Sequence, residues 1–249
     1  MSSAAPARSE VALAALREAL QRTRSLVPRK APSAEGEAMA ATGLAALDGL
    51  LGGGLPRGRV TELVGTRSSG RTALCMAALA AATRRGEVTA LVDVAGVLDA
   101  RRAEAAGIEL ARLLWVRAGD AKRGVQATDV VLGAGGFGVV VLDLGDRLPR
   151  VPDNSWLRLS RAAEKSGATL IVLAPPLPAS SASRASGGAA ARERVLPLFA
   201  ALRLHTSCPG RPRFADGRVL VSIESRVEVR GSKRGPDGET ATLSLRLRG

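Results

Sequence analysis

The run Gly65-Thr66-Arg67-Ser68-Ser69-Gly70-Arg71-Thr72 places two glycines five positions apart, with hydroxyls at Ser68, Ser69 and Thr72 and a guanidinium at Arg71. Glycines at both ends permit a tight backbone turn whose N–H groups converge. A helix starting at the second glycine adds the positive end of its dipole, so the loop is a nest for an anion such as phosphate. The Thr72 hydroxyl suits Mg²⁺. A second half is required, a carboxylate at the end of a nearby apolar strand, and Val139-Val140-Val141-Leu142-Asp143 supplies it in Asp143. The departure is Arg71. A phosphate-binding loop carries lysine there, and a planar guanidinium fork does not occupy the space of a compact ammonium.

The elements that must position these residues alternate along the chain. Apolar β-rich runs fall at Val60–Val64, Val88–Val92, Leu113–Val116, Gly138–Leu142 and Thr169–Ala174. Helical patterns lie between them at Gly70–Arg84, Asp99–Ala106, Ala121–Leu132 and Asn154–Lys165. Repeated β-α units with strands this apolar predict an α/β fold whose mostly parallel central sheet is covered on both faces. After Ala174 the segment 175–191 is rich in Pro, Ser, Gly and Ala and reads as a mobile loop. From Leu202 onward the pattern is strands alone: the alternating stretch Leu202–Thr206, then Val219–Val221, Arg226–Val229 and Thr240–Leu247, with Gly235–Gly238 as a turn. His205, the single histidine, reads as an ordinary residue of such a strand.

Ahead of this body stands Glu10–Val27, where Leu13, Leu16, Leu20 and Val27 share one helical face. Ser9 and Pro28 are its expected start and stop signals, and 29–41 reads as a linker. The expected organisation is therefore a helix over 1–28, a linker over 29–41 and a core over 42–249. The leucine stripe must be covered, either by the chain's own core or by a partner protein.

Composition narrows the chemistry. Two cysteines and one histidine in 249 residues leave no disulfide framework and no His-based metal cluster. No apolar run reaches membrane-spanning length and no secretory leader is visible, so a cytoplasmic location without membrane contact is expected. The net charge of +13 points toward nucleic acid, but only four of the 36 basic residues are lysines and tyrosine is absent, a bias typical of GC-rich coding. The two tryptophans, Trp115 and Trp156, are expected in the core.

Several motifs carry a family resemblance. Thr42-Gly43-Leu44, Leu47-Asp48, Gly53-Gly54-Leu55-Pro56-Arg57-Gly58-Arg59-Val60, the Gly65–Thr72 loop, the run Leu91–Asp99, Gly107-Ile108 and Asp143 together resemble the core of RecA recombinases. Arg226–Leu247 is similar to the last strands of that core, and the N-terminal helix with its linker is similar too. The resemblance implies a RecA-like fold built to bind ATP with Mg²⁺ and DNA. It also marks departures. The water-activating glutamate of that family falls at Ala95, the adenine-stacking tyrosine at Arg102, and the γ-phosphate-sensing glutamine at Pro175. With Arg71, four parts of the ATP machinery are altered, so no catalytic residue is assigned, ATP hydrolysis is not expected, and retention of ATP, ADP or Mg²⁺ is doubtful.

Proteins of this size with an N-terminal helix and a degenerate phosphate loop resemble the ImuA family. That resemblance implies a non-catalytic accessory role in SOS-type translesion DNA synthesis, with RecA, an inactive Y-family polymerase homologue and an error-prone C-family polymerase as partners. The stripe Leu13, Leu16, Leu20 and Val27 is then the partner-binding element. Two other readings stand beside it: an active DNA-dependent ATPase of the recombinase type, and a RecA-fold inhibitor of cell division, against which the retained Gly65–Thr72 loop counts. Arg184, Arg211, Arg213, Arg218, Lys233 and Arg234 are the candidate contacts to DNA phosphates. With five aromatic residues in the chain a base-stacking platform is not expected, so any DNA binding should be weak, sequence-independent and salt-sensitive.

Overall fold

The computed structural model describes residues 13–21, 39–146, 151–176, 199–210, 213–215, 219–232 and 238–246. Eight strands follow one another across the main sheet. In spatial order they are Thr240–Arg246 (β11), Val219–Ser232 (β10), Leu202–Ser207 (β8), Val60–Gly65 (β3), Thr169–Ala174 (β7), Phe137–Asp143 (β6), Val88–Asp93 (β4) and Leu113–Arg117 (β5). The short Arg213–Ala215 (β9) pairs with the first half of β10, and a separate ribbon joins Met39–Ala40 (β1) to Leu55–Pro56 (β2). From β8 to β5 every pairing is parallel, while β10 runs antiparallel to β8, β9 and β11. The expected α/β architecture, parallel in the centre with antiparallel C-terminal strands, is the one observed.

The central strands are mostly apolar because they are covered on both sides, and the buried Glu62 within β3 is paired with Arg203 of β8. All residues of β3 and β7 are buried, and their side chains alternate between two core clusters. Ile171 and Leu173 point to one face, where Ala45–Leu50 (α2), Arg71–Arg84 (α3) and Ala100–Ala105 (α4) pack through Leu47, Leu74, Leu79 and Ala103. Leu170, Val172 and Ala174 point to the other, covered by Ala121–Ala134 (α5) and Asp153–Ser166 (α6) through Val125, Val131, Trp156 and Leu159. Residues 13–21 form a helix (α1) that joins this second cluster: Leu20 is buried in it and Leu13 and Leu16 pack beside it.

Several expectations need correction. The linker ends before residue 39, since Met39 and Ala40 pair with Pro56 and Leu55, and a Cβ on Gly54 would stand 2.2 Å from the Ala40 carbonyl oxygen. Val219–Val221 and Arg226–Val229 are one strand, because the single 14-residue β10 serves three partners along its length. Trp156 is buried as expected, but Trp115 sits half-buried on edge strand β5 with the Arg117 guanidinium 5.2 Å from its ring centre. His205 is indeed an ordinary, half-buried strand residue in β8. No helix among the described residues is long and apolar enough to cross a membrane. The segment 177–198, which holds most of the expected mobile loop, lies outside the described residues.

Candidate phosphate site

Strand β3 delivers Gly65 to the carboxyl edge of the sheet, where ligands of open α/β folds bind. The chain then turns through Thr66–Gly70, with the Ser69 N–H donating to the Thr66 carbonyl at 3.2 Å, and enters α3 at Gly70 with φ of 92°. One side of the loop is fastened to the C-terminal strands. Ser69 Oγ lies 2.8 Å from Thr206 Oγ1 of β8, and the Ser225 hydroxyl of β10 donates to the Ser69 carbonyl at 2.7 Å. The space is full: a Cβ on Gly65 would stand 2.1 Å from Thr206 Oγ1, and one on Gly70 would stand 2.6 Å from Ser225 Oγ. Both glycines therefore serve close packing against β8 and β10, besides freeing the loop backbone. Thr66, Arg67, Ser68 and Thr72 face outward, and Ser68 takes a left-handed conformation with φ of 60°, uncommon for a side-chain-bearing residue.

Arg71 does not reach into open space. Its buried guanidinium donates through Nη1 to the Gly65 carbonyl at 2.8 Å. Through Nη2 it reaches the Gly145 carbonyl at 3.1 Å and Asp146 Oδ1 at 2.5 Å. Thus the residue at the lysine position ties the start of the phosphate loop to the loop that follows β6. Arg67 approaches the same carboxylate, its Nε 3.3 Å from Asp146 Oδ2.

Three carboxylates gather at this edge. Register pairs Asp93 of β4 with Asp143 of β6, and β7 separates β6 from β3. Asp93 is buried and accepts from the Gly96 and Leu98 backbone N–H groups at 2.7 and 2.9 Å. Asp143 accepts from the Gly145 N–H at 2.8 Å. Burial pushes the Asp143 carboxyl above its ordinary value, against the Gly145 hydrogen bond and the Arg71 charge, with help from the negative charges of Asp93 and Asp146. Ala95 brings only a methyl group to this edge, 3.5 Å from where a Cβ on Gly145 would stand. Arg102 is exposed beside Asp99, and Pro175 is buried just after β7.

The Gly65–Thr72 loop and Asp143 thus stand at the same carboxyl edge of the sheet, with β7 between their strands. The cation at the lysine position is already engaged by three protein oxygens, and Ala95 offers no base. No group of three or more His, Cys, Asp or Glu side chains suited to a metal ion occurs among the described residues.

The other expected site residues fare differently. Leu20 is buried in this chain's own second core cluster and the half-buried Leu13 and Leu16 pack against it, whereas Val27 lies outside the described residues. Of the candidate DNA contacts, Arg213 is placed in β9 opposite Ser222, while Arg184, Arg211, Arg218, Lys233 and Arg234 lie outside the described residues.

Sequence reasoning missed Asp146, Thr206 and Ser225. Only Asp146 had a signal, being an acid three positions beyond Asp143. The Thr42–Asp48 motif is a structural clasp, in which the Asp48 carboxylate accepts from the Thr42 and Gly43 N–H groups and the Thr42 hydroxyl at 2.7–3.0 Å.

Comparison with known proteins agrees with the fold. The RecA N-terminal domain matches residues 22–152. The RecA protein of Thermus thermophilus is 27% identical over 223 residues, covering 82% of this chain and 65% of that protein. RecA of Symbiobacterium thermophilum is 28% identical over 223 residues, covering 82% of this chain and 63% of its own length. The chain thus spans less than two thirds of the length of these relatives. Among solved structures, the crystal structure of the RadB recombinase superposes with a TM-score of 0.67 at 21% identity, over 85% of this chain and 98% of that one.

Proposed function

The chain belongs to the RecA N-terminal domain family, and from that premise we propose that it is a non-catalytic RecA-like accessory protein of DNA repair. We place it with ImuA-type proteins in SOS-type translesion synthesis, acting by binding RecA or the mutasome polymerases. The observation that carries this reading is Arg71. Phosphoryl transfer depends on a free cation beside the transferred phosphate and on a positioned water. Here the cation is held by Gly65, Gly145 and Asp146, and the water-activating position of the family carries the Ala95 methyl group.

The stripe of α1 packs within the chain, Leu20 buried and Leu13 and Leu16 half-buried against the second cluster. A partner that uses this stripe must first draw α1 away from the second cluster.

The test is ATP turnover by the full chain with and without single-stranded DNA, together with co-purification of RecA and the two polymerases from damaged cells. The expected result is no phosphate release above background and stable association with at least one of those proteins. Turnover that single-stranded DNA stimulates and Asp143→Ala abolishes would establish the recombinase-type ATPase instead.

A further inference from the structure

Asp146 holds a carboxylate against both guanidinium groups that flank the phosphate loop. Its two oxygens are divided between them, Oδ1 to Arg71 at 2.5 Å and Oδ2 to Arg67 at 3.3 Å. The two arms differ in strength. The Arg71 side chain is 8% exposed and is little screened by water, whereas Arg67 is 86% exposed and adds little by itself. The other carboxylates at this edge are turned elsewhere, Asp93 onto the Gly96 and Leu98 N–H groups and Asp143 onto that of Gly145.

An oxyanion entering the loop would seek the same donors: the Arg71 fork, the Arg67 fork and the first-turn N–H groups of α3. It would meet a fixed negative charge already bonded to the two forks. We propose that Asp146 is a built-in competitor for phosphoryl anions, an autoinhibitory contact that keeps the loop folded and satisfied with no nucleotide bound. The excluded class is pyrophosphate and the diphosphate of a nucleotide, whose paired phosphates would span the loop and Arg71. The inference rests on the non-catalytic reading of this loop and supplies what that reading lacks, the group that satisfies the arginine in place of a nucleotide.

The experiment measures binding of pyrophosphate and of ADP, without magnesium, to the full chain by calorimetry. Wild type is expected to bind both weakly. Asp146→Asn removes the charge, preserves the size, and alters a side chain that is itself half-exposed. It is expected to tighten binding by roughly tenfold or more, the size of one charge-assisted hydrogen bond released to the ligand. Adding Arg71→Ala to that variant should abolish the gain. Asp146→Glu keeps the competing charge and should bind as weakly as wild type. The proposal is overturned if wild type already binds as tightly as Asp146→Asn, if the gain survives loss of Arg71, or if Asp146→Glu gains as much. ATP turnover is recorded in parallel. Turnover by wild type would refute the non-catalytic reading, whereas pyrophosphate binding alone decides the competition.

Discussion

Asp143 is where the inherited site and the stability of this chain are at odds. Its carboxyl is held above the ordinary range by burial, so the charged form is disfavoured in the folded protein. A raised carboxyl contributes stability that is present below its unfolded value and lost as pH rises through its folded one. Asp143→Asn can still accept the Gly145 hydrogen bond and removes the buried charge. The variant is therefore expected to melt a few degrees higher than wild type at neutral pH, with the gap closing in acid, which calorimetry at the two pH values checks. Glu87 has the opposite sign. Burial would raise it, but hydrogen bonds and charge from Arg57 and Arg85 prevail and hold it below the ordinary range. Its contribution is present above the ordinary carboxylate value and is lost as pH falls through the lowered one. Glu87→Gln removes a charged partner from the buried Arg57 and should cost about 1–3 kcal/mol at neutral pH in denaturant titrations, and less in acid.

At the scale of elements, the loop between β3 and α3 is held by its packing against β8 and β10. Gly70→Ala meets both a left-handed φ of 92° and the Ser225 side chain, whereas Gly86→Ala meets a φ of 82° with nothing in the way. The first should therefore cost clearly more than the second, about 3 against about 1 kcal/mol by urea unfolding. Elements buried on both faces were legible in the sequence: β3, β6 and β7 are apolar runs whose order with α3, α5 and α6 stands as read. Elements that exist through pairing were not. β1, β2 and β9 are two or three residues long and have no pattern of their own, and β10 was split because its three partners impose different environments along it. The candidate site was legible for the same reason and to the same limit. Gly65 and Asp143 mark strand ends and Arg71 a helix start, but the engagement of Arg71 by Asp146 arises from register across β3, β7 and β6.

For the whole molecule, the open question in the sequence was what covers the α1 stripe, and amphipathic spacing cannot distinguish an intramolecular cover from a partner. The fold answers with Leu20 at 6% exposure in the second cluster. Leu20→Ala in the isolated full chain is accordingly expected to lower stability by about 2–4 kcal/mol, read from chemical denaturation. A cost near zero would mean that the helix spends its time elsewhere and that the stripe is available to a second protein.

The two thiols turn this fold into its own clock. Cys75 lies one turn into α3 below Arg71, wholly enclosed, and burial together with the Asp143 charge lifts its thiol far above the ordinary range. It is inert while the loop is closed. Cys208 is only half-buried and serves as the fast internal reference. The rate at which a maleimide reaches Cys75 in native buffer therefore reports openings that expose the start of α3, and any anion or protein that clamps that end would slow it, with no cysteine having to be introduced into the chain.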